Sequence, residues 1–163
     1  MPISKYISDI RAKIGNDLLI LTGTSAVVIN ERGEVLLQRR SDLDIWTILG
    51  GYLDPGEDVA DGIIREVREE AGIAVSPEAI IAVLSGRDHF HTYFNGDQVA
   101  IINICFRCHP IDDSIPRPND DESVDVRYFS PDELPENTYP IHKTLIAKAL
   151  EFSAAAYFRP PSA

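Results

Sequence analysis

The order of apolar and polar positions along the chain predicts a mixture of helices and short strands. Strand-like segments are rich in Val, Ile, Leu and aromatic residues, and turn residues separate them. Residues 24–30 and 35–40 flank a short polar turn, and we expect these two segments to pair as a hairpin. The residues Asn95-Gly96-Asp97 predict a second hairpin. Strands are predicted at residues 24–30, 35–40, 78–84, 87–94, 98–108 and 124–129, and helices at residues 4–13, 58–72 and 139–152.

The helix predicted at residues 58–72 carries glutamates beside its apolar face. At about 100° per residue, the apolar side chains form one stripe, which consists of Val59, Ala60, Ile63, Ile64, Val67 and Ala71. Glu66 and Glu70, one turn apart, lie at an edge of that stripe. Glu69 lies roughly a quarter-turn further round the helix. An ordinary surface helix would place such charges on the opposite face.

Two interpretations fit this placement of charge. Carboxylates crowded at the edge of a core lose hydration and repel one another unless a cation compensates them. Mg²⁺ takes oxygen ligands and usually uses one or two carboxylates with substrate phosphates, so a metal site for phosphate chemistry is one interpretation. The other is an exposed helix that an ion pair between Arg65 and Glu69 stabilises.

The stretch that contains this helix, residues 50–73, reads GGYLDPGEDVADGIIREVREEAGI. A glycine pair, an Asp-Pro-Gly turn and the helix follow one another, and Gly72 is well placed to end the helix. Position for position, the stretch resembles the signature of the Nudix hydrolases. The matching residues are Gly51, Glu57, Arg65, Glu66, Val67, Glu69, Glu70, Gly72 and Ile73.

The resemblance implies an α/β (α+β) fold, in which a mixed β-sheet lies between helices as an α/β/α sandwich. It implies a single domain over residues 1–163, with an N-terminal helix and lead-in at residues 1–20 and a flexible tail at residues 153–163. The hydrophobic pattern alone predicts only an α+β or α/β chain. Leu49 stands where proline is commonest in the family.

The resemblance also implies hydrolysis of a phosphoanhydride bond in a nucleoside diphosphate linked to another group. The implied cofactor is Mg²⁺, with Mn²⁺ as a substitute, because metal ions neutralise crowded phosphate oxygens and acidify water. Arg65 is expected to orient Glu69 through a charge-assisted hydrogen bond. Glu57 is either a secondary metal ligand or a partner of Arg65. The metal ligands implied by matching positions are the Gly50 carbonyl, Glu57, Glu66, Glu69 and Glu70.

The sequence leaves the catalytic general base open between two glutamates. Glu69 is one candidate. Glu122 is the other, because it precedes the last predicted strand, where some family members carry a glutamate that reaches the metal site. The alternative for Glu122 is a solvated acid beside Asp120 and Asp121.

Cations and aromatic rings are the candidates for binding the substrate. Arg39 and Arg40, at the end of a predicted strand, either help to hold an anionic substrate or are solvated charges. Phe90 and Tyr93 belong to the segment HFHTYF, whose rings either pack across strands or stack on a nucleobase. Family markers for ADP-ribose or dinucleoside polyphosphates do not occur at their expected places, so nucleotide sugars and (d)NTPs both stay open as substrates.

Composition and charge limit the partners of the chain. The 163 residues include 26 acidic and 15 Lys or Arg residues, a net charge of −11, so duplex nucleic acid should be repelled on average. No stretch resembles a signal peptide or a membrane span, and we expect a cytoplasmic protein without membrane partners. Cys105 and Cys108 lie in one predicted strand, where residues three apart face opposite sides, so we expect packing roles for both.

A non-catalytic module that senses nucleotides is the alternative function. Such Nudix modules usually have an eroded signature and often an attached DNA-binding domain. The complete signature at residues 50–73 favours an enzyme. Oligomers, homodimers among them, are common in the family, and the sequence leaves the oligomeric state open.

Overall fold

The computed structural model describes residues 5–151 and 156–158. Within them, short 3₁₀ helices occur at residues 87–89 and 131–133. The helices are α1 (Lys5–Ile14), α2 (Val59–Ala71) and α3 (Pro140–Glu151). The strands are β1 (Leu19–Val28), β2 (Val35–Arg40), β3 (Trp46–Thr47), β4 (Leu49–Tyr52), β5 (Val75–Leu84), β6 (Phe90–Thr92), β7 (Gln98–Pro110), β8 (Ser123–Phe129) and β9 (Tyr157–Phe158).

The strands form two sheets. The larger sheet has the order β4-β1-β7-β5-β9, and β6 also pairs with β7. β1 runs parallel to β7, whereas β4 runs antiparallel to β1 and β5 runs antiparallel to β7, so the sheet is mixed as predicted. The smaller sheet has the order β3-β2-β8.

The predicted hairpin between residues 24–30 and 35–40 is wrong. The polar turn forms, since the Asn30 amide donates to the Glu34 carbonyl at 3.0 Å. Beyond it, β1 joins the larger sheet and β2 the smaller one, and a single bridge between Ile29 and Val35 links them in the described chain. Local turn residues specify the reversal of the chain, whereas long-range partners decide which strand pairs with which.

Two helices cover opposite faces of the larger sheet and complete the predicted α/β/α sandwich. On one face, α2 packs through Ile63, Val67 and Ala71 against a cluster that includes Ala26, Val28, Phe106 and Cys108. On the other face, α3 packs through Leu145, Ile146 and Ala149 against a cluster that includes Val27, Ala82 and Cys105. Each face therefore has its own hydrophobic core.

The cysteines follow the prediction from strand alternation. Cys105 and Cys108 are free thiols on β7, and they belong to the two different hydrophobic clusters. Burial raises the pKa of each thiol to about 12. Both residues therefore contribute packing rather than thiol chemistry.

Helix α2 has the predicted boundaries. It begins after Asp58 and ends before Gly72, whose φ of 70° is left-handed and whose amide donates to the Arg68 carbonyl. The second hairpin is also confirmed, because β6 and β7 are antiparallel around residues 95–97. Its first strand is shorter than predicted, since residues 87–89 form a 3₁₀ turn.

The tail predicted at residues 153–163 lies mostly outside the described residues. Within it, Tyr157–Phe158 form β9, which runs parallel to β5 and which the hydrophobic pattern does not predict. None of the helices in the described part of the chain has the length and apolar character needed to cross a membrane.

Gly50 lies where β4 approaches β1 most closely. Its φ is 149°, and an added Cβ would overlap the carbonyl oxygen of Thr24. Gly56, in the turn before α2, also has a positive φ of 84°, but an added Cβ there would meet no atom within 4 Å. Substitution of Gly56 therefore tests backbone strain alone, whereas substitution of Gly50 tests backbone strain together with steric overlap.

We expect Gly50→Ala to destabilise the domain more than Gly56→Ala. Backbone strain alone should cost about 1–2 kcal/mol. Overlap with Thr24 should cost Gly50→Ala about 1–3 kcal/mol more. Urea unfolding followed by circular dichroism measures both free energies of unfolding, and equal losses would contradict the assigned overlap.

Candidate active site

Arg65 binds three glutamates. Its Nε and Nη2 donate to the two carboxylate oxygens of Glu57 at 2.8 and 2.9 Å. Its Nη1 donates to Glu66 Oε1 at 2.8 Å and to Glu69 Oε2 at 3.2 Å, and Nη2 also donates to the Tyr52 carbonyl. The hydrogen bonds from Arg65 hold the pKa of Glu57 below its usual range. The expected hydrogen bond between Arg65 and Glu69 is present, but the two hydrogen bonds between Arg65 and Glu57 have shorter donor–acceptor distances.

Glu66 is fully buried although it carries a carboxylate. Its Oε1 accepts from Arg65, whereas its Oε2 is buried without a hydrogen-bond partner among the described residues. Burial raises the pKa of Glu66 to about 7, and the Arg65 guanidinium only partly opposes this shift. Gly51 provides the space, because an added Cβ there would lie 2.6 Å from the Glu66 carboxylate.

Glu70 is also buried, and both of its oxygens accept hydrogen bonds. Oε1 accepts from the side-chain amide of Gln38 at 2.9 Å, and Oε2 accepts from the backbone amide of Gly50 at 2.9 Å. Gln38 in turn accepts a hydrogen bond from the Ser123 hydroxyl. Burial raises the pKa of Glu70 to about 8 despite these two donors. β2 and β4 thus each donate one hydrogen bond to this carboxylate, and β8 holds the Gln38 side chain that makes one of them.

Leu49 fixes the strand that carries the glycine pair. It is fully buried in the same cluster as α2, and it pairs with Ala26 of β1. Burial of this side chain anchors the backbone ahead of Gly50, at the position where the family commonly has proline.

The carboxylates on α2 fit a divalent cation in their chemistry. In residues 5–151 and 156–158, no three His, Cys, Asp or Glu side chains are grouped so as to hold a metal ion. Glu66 Oε2 is nevertheless a buried acidic oxygen without a partner. The raised pKa values of Glu66 and Glu70 indicate that burial of their charge is undercompensated. A hard cation supplies the charge that these oxygens lack.

A cavity of about 1630 Å³ opens beside these carboxylates. Arg65 and Glu69 of α2 line it, and so does Gly50 of β4. Asp120 and Glu122 line it from the segment before β8. Residues of β1, β7, the β6–β7 hairpin and the first turns of α3 form further walls. The cavity is therefore acidic at its α2 end, and the apolar residues Ile141 and Leu145 of α3 also line it.

Arg39 and Arg40 have different surroundings. Arg40 lines the cavity, donates twice to the Asp42 carboxylate at 2.8 Å, and has Nη1 3.8 Å from Glu122 Oε2. Arg39 is not part of the cavity wall, and its Nη1 lies 3.5 Å from Asp44 Oδ1. The structure thus brings only the second arginine to the cavity.

Glu122 is held by the backbone of its own segment. Its amide donates to Asp120 Oδ1 at 3.0 Å, and its carbonyl accepts from the Ser41 amide at 2.8 Å. Asp120 Oδ1 also accepts from the Ser123 amide at 3.3 Å. Asp120 therefore positions the segment that carries Glu122, and it is not an inert neighbour.

The aromatic residues near β6 have no aromatic partner across the strand pair. The cross-strand partners of Phe90, His91 and Thr92 are Ala100, Val99 and Gln98, so any cross-strand packing of these rings is on non-aromatic side chains. Tyr93 lines the cavity, and its hydroxyl forms a 2.8 Å hydrogen bond with the Tyr52 hydroxyl. Phe90 is 53% exposed and lies outside the cavity wall. Stacking on a nucleobase stays a prediction for both rings.

Three residues of the site were missed from the sequence. Gln38 carried a signal, since it is a polar residue inside the apolar strand segment VLLQRR. Tyr52 and His142 also line the cavity. Neither carried a local signal, because a lone aromatic or His in an apolar segment is typical of ordinary packing.

We expect Glu66→Gln to stabilise the metal-free protein above neutral pH. The folded pKa of about 7 exceeds the ordinary value of 4.5, so ionisation costs stability as the pH rises from about 4.5 to 7. A gain of about 1 kcal/mol or more corresponds to a rise in Tm of about 2–4 °C. Thermal unfolding in EDTA at pH 5 and pH 8 should show the gain mainly at pH 8.

Glu69→Gln is the matched control for this measurement. Its side chain is 48% exposed, so removing its charge should leave the metal-free Tm nearly unchanged. A Glu66→Gln protein that is less stable than wild type at pH 8 would contradict the assigned cost of burying this charge.

Comparison with known proteins identifies the family. The family model described as the NUDIX domain matches residues 20–149. A MutT-like protein of Streptomyces ambofaciens is 30% identical over 127 residues, which cover 78% of this chain and 75% of that protein. The NAD-capped RNA hydrolase NudC of Stutzerimonas stutzeri is 31% identical over 123 residues, which cover 68% of this chain but only 37% of that protein.

The fold agrees with solved structures. The crystal structure of an ADP-ribose pyrophosphatase from Streptococcus suis superposes with a TM-score of 0.66 at 26% identity, covering 85% of this chain and 96% of that one. The family match, the mixed-sheet sandwich and the signature glutamates around Arg65 lead to one conclusion: this chain is a member of the Nudix hydrolases, enzymes that generally need a divalent metal and act on nucleoside diphosphate derivatives.

Proposed function

We propose that this protein hydrolyses a phosphoanhydride bond in a nucleoside diphosphate linked to a second group, with Mg²⁺ as the cofactor. The observation that carries the proposal is the buried Glu66 carboxylate, whose Oε2 has no partner among the described residues. Two other residues of the same helix, Arg65 and Glu69, line a large cavity. This arrangement is unfavourable for a purely structural helix and favourable for a cation site.

Charge explains why a cation is needed for such a substrate. The cavity wall near α2 presents Glu69, Asp120 and Glu122, and Glu66 and Glu70 lie behind it. A polyphosphate brought to this wall would meet like charges. Divalent cations between the carboxylates and the phosphates would remove that repulsion and polarise the phosphoryl oxygens.

The residues proposed to hold the metal are Glu66, Glu69, Glu70 and the Gly50 carbonyl. Glu57 serves as the partner of Arg65 rather than as a metal ligand. Both of its oxygens accept hydrogen bonds from Arg65, and Oε2 also accepts one from the Asp54 amide. Arg65 acts by orientation: its fork of donors limits the rotation of Glu57, Glu66 and Glu69. Arg40 offers the substrate a cation on the cavity wall.

Glu122 is the better candidate for the general base. Glu69 is held by Arg65 and stands among the carboxylates assigned to the metal. Glu122 lines the cavity from a different element, and it faces Arg40. In the proposed reaction its carboxylate takes a proton from the water that attacks phosphorus, while Arg40 limits its movement.

The size of the cavity and the names of two similar proteins support one substrate class. Its volume of about 1630 Å³ exceeds the roughly 300–1,000 Å³ of ordinary ligand pockets, so a nucleotide with a second group attached has room. One structural neighbour is named an ADP-ribose pyrophosphatase, and one relative an NAD-capped RNA hydrolase. Both names describe a nucleoside diphosphate that carries a further group, and we propose a nucleotide sugar or dinucleotide of this kind.

Turnover with a nucleotide panel tests the proposal. Incubation with Mg²⁺ and ADP-ribose, other nucleotide sugars, NAD, dinucleoside polyphosphates and (d)NTPs should release phosphate-containing products from at least one compound. EDTA should abolish the release, because the charge on the phosphates is then uncompensated. Glu69→Gln should lower kcat by about 10²-fold or more and weaken Mg²⁺ binding.

Asp61→Asn is the matched control, since Asp61 is an exposed acid on α2 and is not part of the cavity wall. It should retain wild-type turnover. Tight nucleotide binding without turnover by any compound would replace the enzyme with a nucleotide-sensing module.

A second pair of variants tests the general base. Glu122→Gln should lower kcat by about 10²–10⁴-fold, the usual contribution of general base catalysis, and leave Mg²⁺ affinity unchanged. The control is Asp121→Asn, since Asp121 is exposed and outside the cavity wall, whereas Asp120 positions the segment. Equal and small effects of the two variants would eliminate Glu122 and leave Glu69 as the base.

A further inference from the structure

His142 occupies a fixed position on the part of the cavity wall that the start of α3 forms. It lies in the first turn of α3, lines the cavity, and is partly buried. Its Nδ1 lies 3.2 Å from the backbone nitrogen of Ile48 and accepts that hydrogen bond. The ring of Tyr139 packs edge-on against it, with the ring centroids 5.1 Å apart. Two contacts from different elements therefore hold the imidazole in one orientation.

The hydrogen bond from Ile48 also fixes the tautomer of His142. A backbone amide only donates, so Nδ1 must be the unprotonated nitrogen and Nε2 must carry the proton. Burial lowers the pKa of His142 to about 4, and the charge of Arg40 adds to this shift, so the ring is neutral at physiological pH. His142 thus presents one neutral N–H donor.

That donor has no acceptor among the described residues. Within residues 5–151 and 156–158, the polar contact of the imidazole is the hydrogen bond at Nδ1. Among the described residues, the polar side-chain atoms that are fully buried without a partner belong to Thr24, Arg39, Thr47 and Glu66. Nε2 of His142 is not one of these atoms, so it is not fully buried. The nitrogen is therefore reachable from the cavity that the residue lines.

We propose that His142 determines specificity by donating its Nε2–H to a hydrogen-bond acceptor on the nucleobase of the substrate, a carbonyl oxygen or an unprotonated ring nitrogen. This inference rests on the proposed function, since it assigns the nucleoside part of the same substrate to the part of the cavity wall that α3 forms.

The surroundings of His142 favour a base over a phosphate. The cavity wall beside it includes Ile48, Tyr139, Ile141 and Leu145, which suit a flat, largely apolar ring. A neutral imidazole contributes no charge toward a phosphate, whereas Arg40 already provides a cation on the same wall. A fixed donor that a bound ligand would cover discriminates strongly against a ligand that lacks the acceptor.

Two substitutions test the roles of the two ring nitrogens of His142 individually. Asparagine places an amide oxygen near the position of Nδ1, so His142→Asn keeps an acceptor for Ile48 and loses the donor at Nε2. Glutamine places its amide nitrogen near the position of Nε2, so His142→Gln keeps the donor and loses the acceptor. A structural role predicts harm from Gln, whereas a role in base binding predicts harm from Asn.

The experiment measures binding of AMP, GMP, CMP and UMP to the metal-free protein by calorimetry, with ribose 5-phosphate as the ligand that lacks a base. We expect His142→Asn to raise the Kd of the preferred nucleotide by about 3- to 12-fold, the value of one hydrogen bond. His142→Gln should stay close to the wild-type Kd but have a lower Tm. The Kd of ribose 5-phosphate should not change in either variant.

Each alternative outcome overturns the inference. An unchanged nucleotide Kd in His142→Asn would exclude the base contact, and a parallel loss for ribose 5-phosphate would move the contact to the sugar or phosphate. Failure of the wild-type protein to bind any of the four nucleotides at millimolar concentration would also overturn it. Because these measurements need neither metal nor turnover, a failed hydrolysis assay with intact base binding would refute the proposed function alone.

Discussion

The guanidinium of Arg65 keeps three glutamates together that would otherwise repel one another. It binds Glu57 through two hydrogen bonds and reaches Glu66 and Glu69 with its remaining donors. The planar fork suits this task, because a lysine offers a point charge without the same directions. Loss of Arg65 would leave the buried carboxylate of Glu66 without its cation, which is costly inside a protein. The geometry of the acidic end of the cavity therefore depends on this one side chain.

The positive charge of Arg65 does not compensate all the glutamates of α2. This lack of compensating charge links the structure to the proposed metal-dependent reaction. Glu66 and Glu70 remain buried with raised pKa values, so the metal-free fold carries an electrostatic cost at neutral pH. The backbone accommodates them closely: Gly51 leaves room for one carboxylate, and the amide of Gly50 donates to the other. A functional site that lowers the stability of the fold is a common compromise between stability and function.

The cavity combines two environments that the proposed nucleotide substrate needs. Glu69 of α2 contributes acidic charge to its wall, and α3 contributes apolar side chains and the neutral donor of His142. Arg40 contributes positive charge to the wall, and the hydroxyls of Tyr52 and Tyr93 connect β4 to the β6–β7 hairpin. The sandwich positions these parts by packing α2 and α3 on opposite faces of one sheet.

The sequence by itself determined what depends on local periodicity: helix α2, its end at Gly72, the opposite faces of Cys105 and Cys108, and the glutamates at the edge of the apolar stripe. The tertiary structure decided strand partners, since β1 and β2 belong to different sheets despite the turn that joins them. It also decided how deeply Glu66 and Glu70 are buried, and that His142 meets an amide 94 residues away in the chain. Such contacts escape a reading of the sequence because they arise only when distant segments pack together.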